Sequence, residues 1–255
     1  MSTNSNLNFN GTGNGKTAVI TGASSGIGQG LARAFLERGY NVVGNARTSE
    51  RLAVAAAQLG QPDRFLGVAG DIGQRATAQD LIAQAVARFG QVDVMVNNAG
   101  IFDAKPFVNY TEADVDAFVS TNLKGFVYAS QAAAAHMISR RQGHIVNITA
   151  AIALQSNIQV PAALPILIKG GINDATRALA LELSKHNIQV NAVAPGIVDT
   201  PLYTPEMHEF LNSLAPLGRI GQVQEIADAV LYLAEADFTT GAVLPVDGGM
   251  SSGKW

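Results

Sequence analysis

The stretch Gly22-Ala23-Ser24-Ser25-Gly26-Ile27-Gly28 constrains this chain more than any other feature. An apolar run at 18–21 precedes it and a helix-like pattern follows it. Gly22 permits a tight turn, Gly26 admits a pyrophosphate and Gly28 packs the helix against the strand. Because a helix N-terminus favours an anion, the spacing predicts a dinucleotide-binding turn. An ordinary strand–helix turn is the alternative for this motif alone.

The composition limits the size of the fold and its partners. The chain has 255 residues, of which 47% are hydrophobic and 15% charged, and this suits one large α/β domain. The net charge of −3 and the absence of a basic block argue against nucleic acid or a membrane as the partner. The absence of cysteine excludes disulfides, thiol catalysis and cysteine-bound metals, and we predict no metal site.

We predict a tail at each end of the chain. Residues 1–15 are rich in Ser, Thr, Asn and Gly and lack the basic start and apolar core of a signal peptide, so we expect a flexible segment. We expect one domain over 16–250 and a C-terminal tail over 251–255. No apolar run reaches the roughly 18 residues of a membrane span, and we expect a cytoplasmic protein.

Short apolar runs alternate with longer amphipathic segments along the chain. This alternation predicts a parallel sheet with helices on both faces. The predicted strands are 17–21, 41–45, 65–69, 93–97, 144–149, 188–193 and 243–246. The predicted helices are 26–38, 49–59, 74–89, 112–139, 166–185 and 223–235.

Ligands of such sheets bind beyond the carboxyl ends of the strands. The residues that follow the predicted strands are therefore candidates for the site. They are Gly22–Gly28, Ala46, Arg47, Asp71, Asn98-Ala99-Gly100, Thr149, Ala150, Pro195 and Gly196.

These positions carry a resemblance to a known family. Five elements stand in order: 21–28, Asp71-Ile72, Asn97-Asn98-Ala99-Gly100, 191–196 and Val246-Asp247-Gly248-Gly249. In this order they resemble the short-chain dehydrogenases/reductases. The resemblance implies a single doubly wound Rossmann-type α/β domain, with a seven-stranded, mostly parallel sheet and helices on both faces. It also implies a homo-oligomer, a tetramer or dimer, that transfers hydride between NAD(P)(H) and an alcohol or carbonyl of a small molecule.

The cofactor positions can be read residue by residue. Asn98-Ala99-Gly100 leaves room for a flat ring, and Asp71 can accept from an adenine amino group or simply close a turn. By resemblance, the loop 195–200 holds the nicotinamide carboxamide. The predicted cofactor-binding residues are Gly22, Ser24, Ser25, Gly26, Ile27, Gly28, Arg47, Asp71, Ile72, Asn98, Ala99, Gly100, Lys169, Pro195, Gly196, Val198 and Thr200.

The end of the second strand indicates which nicotinamide cofactor is used. Where NAD-binding members carry an acidic residue, this chain has Ala46 followed by Arg47. No carboxylate repels a 2′-phosphate, and a guanidinium can pair with it, so we predict NADP(H) rather than NAD(H). Ser25 and Thr48 can add hydroxyl contacts. A solvated arginine at a helix start is the alternative for Arg47.

The catalytic pattern is broken at two of four positions. The resemblance implies Asn, Ser, Tyr and Lys, and Asn122 and Lys169 match. The tyrosine position, four residues before Lys169, is Pro165, and no tyrosine lies between 129 and 202. The serine position is Ala150. The neighbouring Thr149 should point to the opposite face of the strand.

Two functions remain open. The first is an oxidoreductase with a substituted proton donor: Lys169, directly or through water on Asn122, then Tyr203, or more weakly His144 or Thr149. The second is an inactive NADP(H)-binding protein, a redox sensor or a partner subunit.

Pro165 also bears on local structure. We expect its helix to begin near Pro165, with 161–164 outside it, because proline is tolerated only in the first turn. Leu164, Pro165 and Ile168 would then form an apolar wall at the nicotinamide. The segment 200–220 is mostly apolar and should cover the site.

Overall fold

The computed structural model describes residues 13, 15–61 and 63–253. The predicted tail 1–15 therefore lies outside the described residues except for Gly13 and Gly15. The last two residues of the predicted C-terminal tail also lie outside them. Within that tail, the Ser251 amide donates to Asp247 Oδ2 at 2.7 Å, so its first residue is tied to the end of the last strand.

One seven-stranded sheet organises the described part of the chain. The strands are β1 (Thr17–Thr21), β2 (Asn41–Ala46), β3 (Phe65–Ala69), β4 (Val94–Asn97), β5 (Gly143–Ile148), β6 (Ile188–Pro195) and β7 (Val243–Val246). Their order in the sheet is β3-β2-β1-β4-β5-β6-β7, and every neighbouring pair is parallel. The predicted doubly wound fold is confirmed.

Helices connect the strands across both faces of the sheet. They are α1 (Gly26–Glu37), α2 (Ser49–Leu59), α3 (Arg75–Phe89), α4 (Glu112–Phe118), α5 (Gly125–Arg140), α6 (Ala163–Ser184), α7 (His208–Leu214) and α8 (Val223–Glu235). Short 3-10 turns occur at Phe107–Asn109, Ala151–Ala153 and Pro205–Met207. Among the described residues, no helix has the length and apolar character needed to cross a bilayer.

The core forms one layer on each face of the sheet. Successive residues of β1 serve opposite layers: Ile20 packs with Phe35 of α1 and Val230 of α8, whereas Val19 packs with Leu81 of α3. All five residues of β1 are buried. A strand buried on both faces needs an unbroken apolar run, and this explains why its sequence does not alternate.

The predicted helix 112–139 is interrupted, and this corrects the sequence prediction. α4 ends at Phe118, a π-helical segment follows at Val119–Lys124, and α5 begins at Gly125. The wider π turn carries Asn122, whose side chain is buried and bonded to the neighbouring loop. A side chain that reaches out of the helical ladder to a second segment is a common reason for such a bulge.

Helix α6 begins at Ala163, so Ala163 and Leu164 are helical, contrary to the expectation for 161–164. Pro165 is the third residue of the helix. Its missing N–H would have no intrahelical partner there, and the Ile166 amide already donates to the Ala162 carbonyl at 2.9 Å. Proline therefore sits in the first turn without breaking the helix.

The apolar segment after β6 contains a helix that the sequence did not predict. Leu211 and Leu214 of α7 are buried with Ile220, and Tyr203 packs against them. Because α7 has only seven residues, its periodicity is too short to stand out from an apolar loop.

Candidate active site

The glycine-rich turn joins β1 to α1 in a conformation that side chains would obstruct. Gly22 and Gly26 have positive φ angles of 68° and 53°, where residues with a Cβ are strained. A Cβ on Gly28 would collide with the Gly22 carbonyl oxygen, and one on Gly22 would lie 3.0 Å from Ala99 Cα. The glycines therefore leave the turn without side chains on the side where Gly28 packs against the strand.

The N-terminus of α1 is free of side-chain caps. Ser25 precedes the helix in an extended conformation, and its hydroxyl makes no capping hydrogen bond. The first turn contains no acidic residue. The open N–H groups and the glycine cradle fit a diphosphate, because an anion there completes the hydrogen bonding of the helix end.

Thr21 and Asn98 lock the turn to β4. Thr21 Oγ1 accepts from the Asn98 and Ala99 amides at 3.0 and 2.9 Å. Asn98 Nδ2 donates to the carbonyls of Thr21 and Gly22 at 2.9 and 3.3 Å. Asn98, predicted to contact the cofactor, thus shapes the cradle through its side chain.

The residues predicted to contact a 2′-phosphate lie at the end of β2 and directly after it. Ala46 is buried, and Arg47 is exposed with no hydrogen bond or ion pair to the described part of the chain. The Thr48 hydroxyl caps α2 by accepting from the Arg51 amide at 3.4 Å. The Thr48 hydroxyl predicted to contact the cofactor is therefore already engaged, whereas the Arg47 guanidinium is not.

Asp71 closes the turn that follows β3. Its Oδ1 accepts from the Gly73 amide at 2.9 Å, while Ile72 beside it is buried. Asp71 itself is exposed at the carboxyl edge of the sheet. Asp71 therefore closes a turn, one of the two roles that the sequence left open for it. Its second carboxylate oxygen stays accessible.

The loop after β6 crosses over the glycine-rich turn. The Gly196 amide donates to the Val246 carbonyl at 3.0 Å, and Val198 forms an isolated bridge with Gly221. A Cβ on Gly26 would lie 3.5 Å from Thr200. Thr200 therefore lies next to the turn, and the contact of the loop 195–200 with the nicotinamide carboxamide stays a prediction.

Lys169 and Asn122 meet at the carboxyl edge between β4 and β5. The Lys169 amine donates to the Ile148 carbonyl at 2.6 Å. Asn122 Oδ1 and Lys169 Nζ both lie 3.5 Å from the position that a Cβ on Gly100 would take. Helix α6 and the π segment thus bring together two residues that are 47 positions apart in the chain (169 minus 122).

The electrostatics of Lys169 are set by burial. Burial of the amine lowers the pKa of Lys169 to about 8, from 10.5 for the free side chain. A cavity of about 10 Å³ adjoins the amine. A lysine with this pKa holds both protonation states near neutral pH, as an acid–base group requires.

Known proteins resemble this chain over nearly its whole length. A family model described as enoyl-(acyl carrier protein) reductase matches residues 22–251. The chain is 38% identical over 242 residues to (2S)-[(R)-hydroxy(phenyl)methyl]succinyl-CoA dehydrogenase subunit BbsD of Thauera aromatica, with 92% of this chain and 96% of that protein covered. It is 35% identical over 243 residues to 3-oxoacyl-[acyl-carrier-protein] reductase FabG of Thermotoga maritima, with 92% and 98% covered. The chain belongs to the short-chain dehydrogenase/reductase family.

A solved structure supports the same family. ElxO with NADP bound superposes on this chain with a TM-score of 0.88 at 28% sequence identity, covering 93% of this chain and 99% of that one. The named relatives are dehydrogenases and reductases. The expectation of an NAD(P)-dependent oxidoreductase of the short-chain dehydrogenase/reductase type is confirmed.

Thr149 is not placed to act as the hydroxyl of a short-chain dehydrogenase/reductase. It is buried, and its Oγ1 donates to the Val193 carbonyl of β6 at 3.2 Å. This corrects its inclusion among the catalytic candidates. Its hydroxyl is bonded to the neighbouring strand and is therefore not directed at a substrate.

The apolar wall expected around Pro165 is mostly core. Leu164 and Ile168 pack with Phe118 and Phe126 in a cluster between α4, α5 and α6. Pro165 is buried beside them. Leu164 and Ile168 lie one turn apart on the same face of α6. Their side chains therefore fill the gap between the helices instead of lining an open site.

His144 and Tyr203 differ from Lys169 in position. His144 lies at the start of β5, at the amino edge of the sheet, 3.6 Å from Asp237, and this excludes it as a proton donor at the carboxyl edge. Tyr203 is half-buried against the α7 cluster, and this burial raises its pKa. Tyr203 therefore packs against α7, and that the segment 200–220 covers the site stays a prediction.

Sequence reasoning missed a buried polar network under Lys169. Asn97 Nδ2 donates to Ser130 Oγ at 2.9 Å and to Asn147 Oδ1 at 2.8 Å, and Asn147 Nδ2 donates to Thr176 Oγ1 at 2.9 Å. Asn97 and Asn147 are paired in register between β4 and β5. Asparagines at or near the carboxyl ends of two mostly apolar strands were the available signal.

Proposed function

We propose that this chain is an NADP(H)-dependent oxidoreductase that interconverts an alcohol and a carbonyl of a small molecule, with Lys169 as the proton source. The observation that carries this proposal is the position of the Lys169 amine, which lies at the carboxyl edge with a pKa lowered by burial to about 8. Its neighbour Asn122 and the glycine-rich turn complete a site at one edge of the sheet.

The residues of the glycine-rich turn would hold the dinucleotide. The turn from Gly22 to Gly28 would hold the diphosphate, Asp71 and Ile72 would contact the adenine, and the loop from Pro195 to Thr200 would contact the nicotinamide. When bound, the nicotinamide supplies or accepts the hydride. The chain itself would bind and orient the cofactor, and exclude water, through backbone groups that are already fixed.

Lys169 moves the proton. In the reductive direction the ammonium gives a proton to the carbonyl oxygen of the substrate, directly or through one water, as hydride reaches the carbon. The neutral amine then regains a proton from solvent. In the oxidative direction the neutral amine accepts the hydroxyl proton. A general acid or base of this kind contributes typically about 10²–10⁴-fold to the rate.

The preference for NADP(H) rests on Arg47. The guanidinium is exposed directly after β2 and has no bond to the described residues, while Ala46 leaves no carboxylate at this point. A planar guanidinium matches a phosphate with two parallel hydrogen bonds. Some members of the family bind NADP, as ElxO does.

We also propose a homo-oligomer in the cytoplasm. Leu167 and Leu181 are 71% and 81% exposed on the outer face of α6, which suits contact with a second copy. A tetramer or dimer would bury this face.

The decisive experiment measures NADPH binding by fluorescence and then turnover over a panel of ketones, aldehydes and alcohols. We expect NADPH to bind and turnover to fall about 10²-fold or more in Lys169→Met. Lys185→Met, which changes an exposed lysine after the same helix, is the matched control. Tyr203→Phe should retain activity, because the Tyr203 ring packs against Leu211 and Leu214.

A second variant separates this proposal from an inactive nucleotide-binding protein. Pro165→Tyr with Ala150→Ser restores the tyrosine and serine that the family resemblance implies. Activity that appears only in this double variant would contradict the proposal. Full activity in Lys169→Met would also contradict the assigned proton source.

A further inference from the structure

A polar chain crosses the core directly beneath Lys169. Ser130, Asn97, Asn147 and Thr176 are each at most 8% exposed and are joined by hydrogen bonds of 2.8–2.9 Å. Thr176 Oγ1 in turn donates to the Ile172 carbonyl at 2.8 Å. These bonds fix the orientation of both asparagine amides, since each Nδ2 already faces an acceptor.

With the amides in this orientation, one hydrogen-bond acceptor has no partner among the described residues. Asn97 Oδ1 is fully buried and has no hydrogen-bond partner among the described residues. A buried carbonyl oxygen without a partner is destabilising, and such groups in folded proteins are ordinarily satisfied by protein or water.

The residue that carries this oxygen also lines a cavity. Its volume is about 10 Å³, close to the minimum that holds a single water molecule. Its lining includes Asn97, Asn147 and Asn122 as well as Lys169. Among the described residues of that lining, Lys169 carries the only ionisable side chain, and burial is the cause of its lowered pKa.

We propose that Asn97 is a positioning residue that acts through one buried water, which accepts from the Lys169 ammonium and donates to Asn97 Oδ1. One N–H of the ammonium is occupied by the Ile148 carbonyl. The water takes a second, and the third stays available for the site. This arrangement stabilises the charged form of the amine and holds it in place.

The proposed function gives this arrangement its use, because the pKa of the proton source depends on it. The water itself and its effect on Lys169 can be tested without cofactor or substrate. Failure of the two proposals is therefore distinguishable: loss of the catalytic role of Lys169 would leave the titration of its amine intact.

The test is a titration of Lys169 by NMR in protein labelled with ¹³C at lysine Cε. The chain has six lysines, and Lys169→Met assigns the signal. Asn97→Leu keeps the side-chain shape but removes the acceptor. We expect the proton affinity of Lys169 to fall roughly tenfold in Asn97→Leu. In Asn97→Asp we expect the proton affinity of Lys169 to rise, because a carboxylate then faces the ammonium.

Ser130→Ala and Thr176→Val are the matched controls. Both break the same polar chain at residues that do not line the cavity. We expect them to lower the melting temperature but to leave the Lys169 titration unchanged. An equal shift in the controls, or no shift in Asn97→Leu, would overturn the proposal.

Crystallography of the unaltered protein gives an answer even where the variants fail to fold. We expect density for one water within hydrogen-bond distance of both Asn97 Oδ1 and Lys169 Nζ. A dry cavity at a resolution that shows ordered waters elsewhere in the core would refute the assignment.

Discussion

Asn122 and Ile101 are joined by two hydrogen bonds that pair the side chain of one with the backbone of the other. Asn122 Oδ1 accepts from the Ile101 amide at 2.8 Å, and Asn122 Nδ2 donates to the Ile101 carbonyl at 2.9 Å. The pair fixes the loop after β4 to the π segment before α5. Gly100 is thereby held next to Lys169.

Replacement of this amide should loosen the site. Asn122→Ala leaves an amide and a carbonyl of Ile101 without their partners, so we expect the free energy of unfolding to fall by about 1–3 kcal/mol. Urea denaturation measures this change. Asn109→Ala, at an exposed position of the same loop, is the control and should stay within about 0.5 kcal/mol. Equal stability of the two variants would contradict the structural role of Asn122.

The pH dependence of turnover should follow Lys169. Burial lowers the pKa of Lys169 to about 8, so the ammonium is present below pH 8 and is lost as the pH rises through it. We expect reduction to slow above pH 8 and oxidation to speed up over the same range. Initial rates in both directions between pH 6 and 10 test this, and Lys169→Met should lack the transition.

The same shift has a consequence for stability with a defined sign. The folded pKa of Lys169 lies below the 10.5 of the free side chain, so the folded state binds fewer protons between about pH 8 and 10.5. The contribution of Lys169 to stability therefore becomes less unfavourable as the pH rises through that window.

Arg47 should decide between the two nicotinamide cofactors. We expect Arg47→Ala to weaken NADPH binding roughly tenfold through loss of a charge-assisted contact, with little change for NADH. Dissociation constants from fluorescence titration measure both. Arg51→Ala, an exposed arginine one turn along α2, is the control. Tighter binding of NADH than of NADPH by the unaltered protein would refute the assignment.

Gly28 should tolerate no side chain. A Cβ there meets the Gly22 carbonyl, so Gly28→Ala must move the turn away from the strand. We expect a loss of about 1–3 kcal/mol in stability and a marked loss of nucleotide affinity. Gly171→Ala, in an open helical position, should instead stabilise by up to about 1 kcal/mol. Calorimetry of both variants measures the contrast, and tight NADPH binding by Gly28→Ala would count against the cradle.

The strands, and the carboxyl edge of the sheet where the site residues lie, could be predicted from the sequence because both depend on local patterns. Apolar runs of four to eight residues mark strands buried on both faces, and the polar residues that follow them share one edge of a parallel sheet. Asp71 and Arg47 were located in this way. The break between α4 and α5 escaped because the bonds of Asn122 to Ile101 join segments 21 residues apart, and no local periodicity records them.

The direction of side chains was harder to predict than their position. Leu164 and Ile168 were expected at the nicotinamide but pack against Phe118 and Phe126, because the rotation of α6 depends on its neighbours. The pairing of Asn97 with Asn147 required the register of β4 against β5, which the sequence alone does not give.

The place of Pro165 in the first turn of α6 frees this position from the hydrogen-bond ladder of the helix. The helix backbone asks nothing of residue 165, since its amide would be unbonded with any side chain. Substitution here is therefore limited by the side chains packed around residue 165 and not by the helix backbone. A saturation library at residue 165 would show which side chains this buried position accepts.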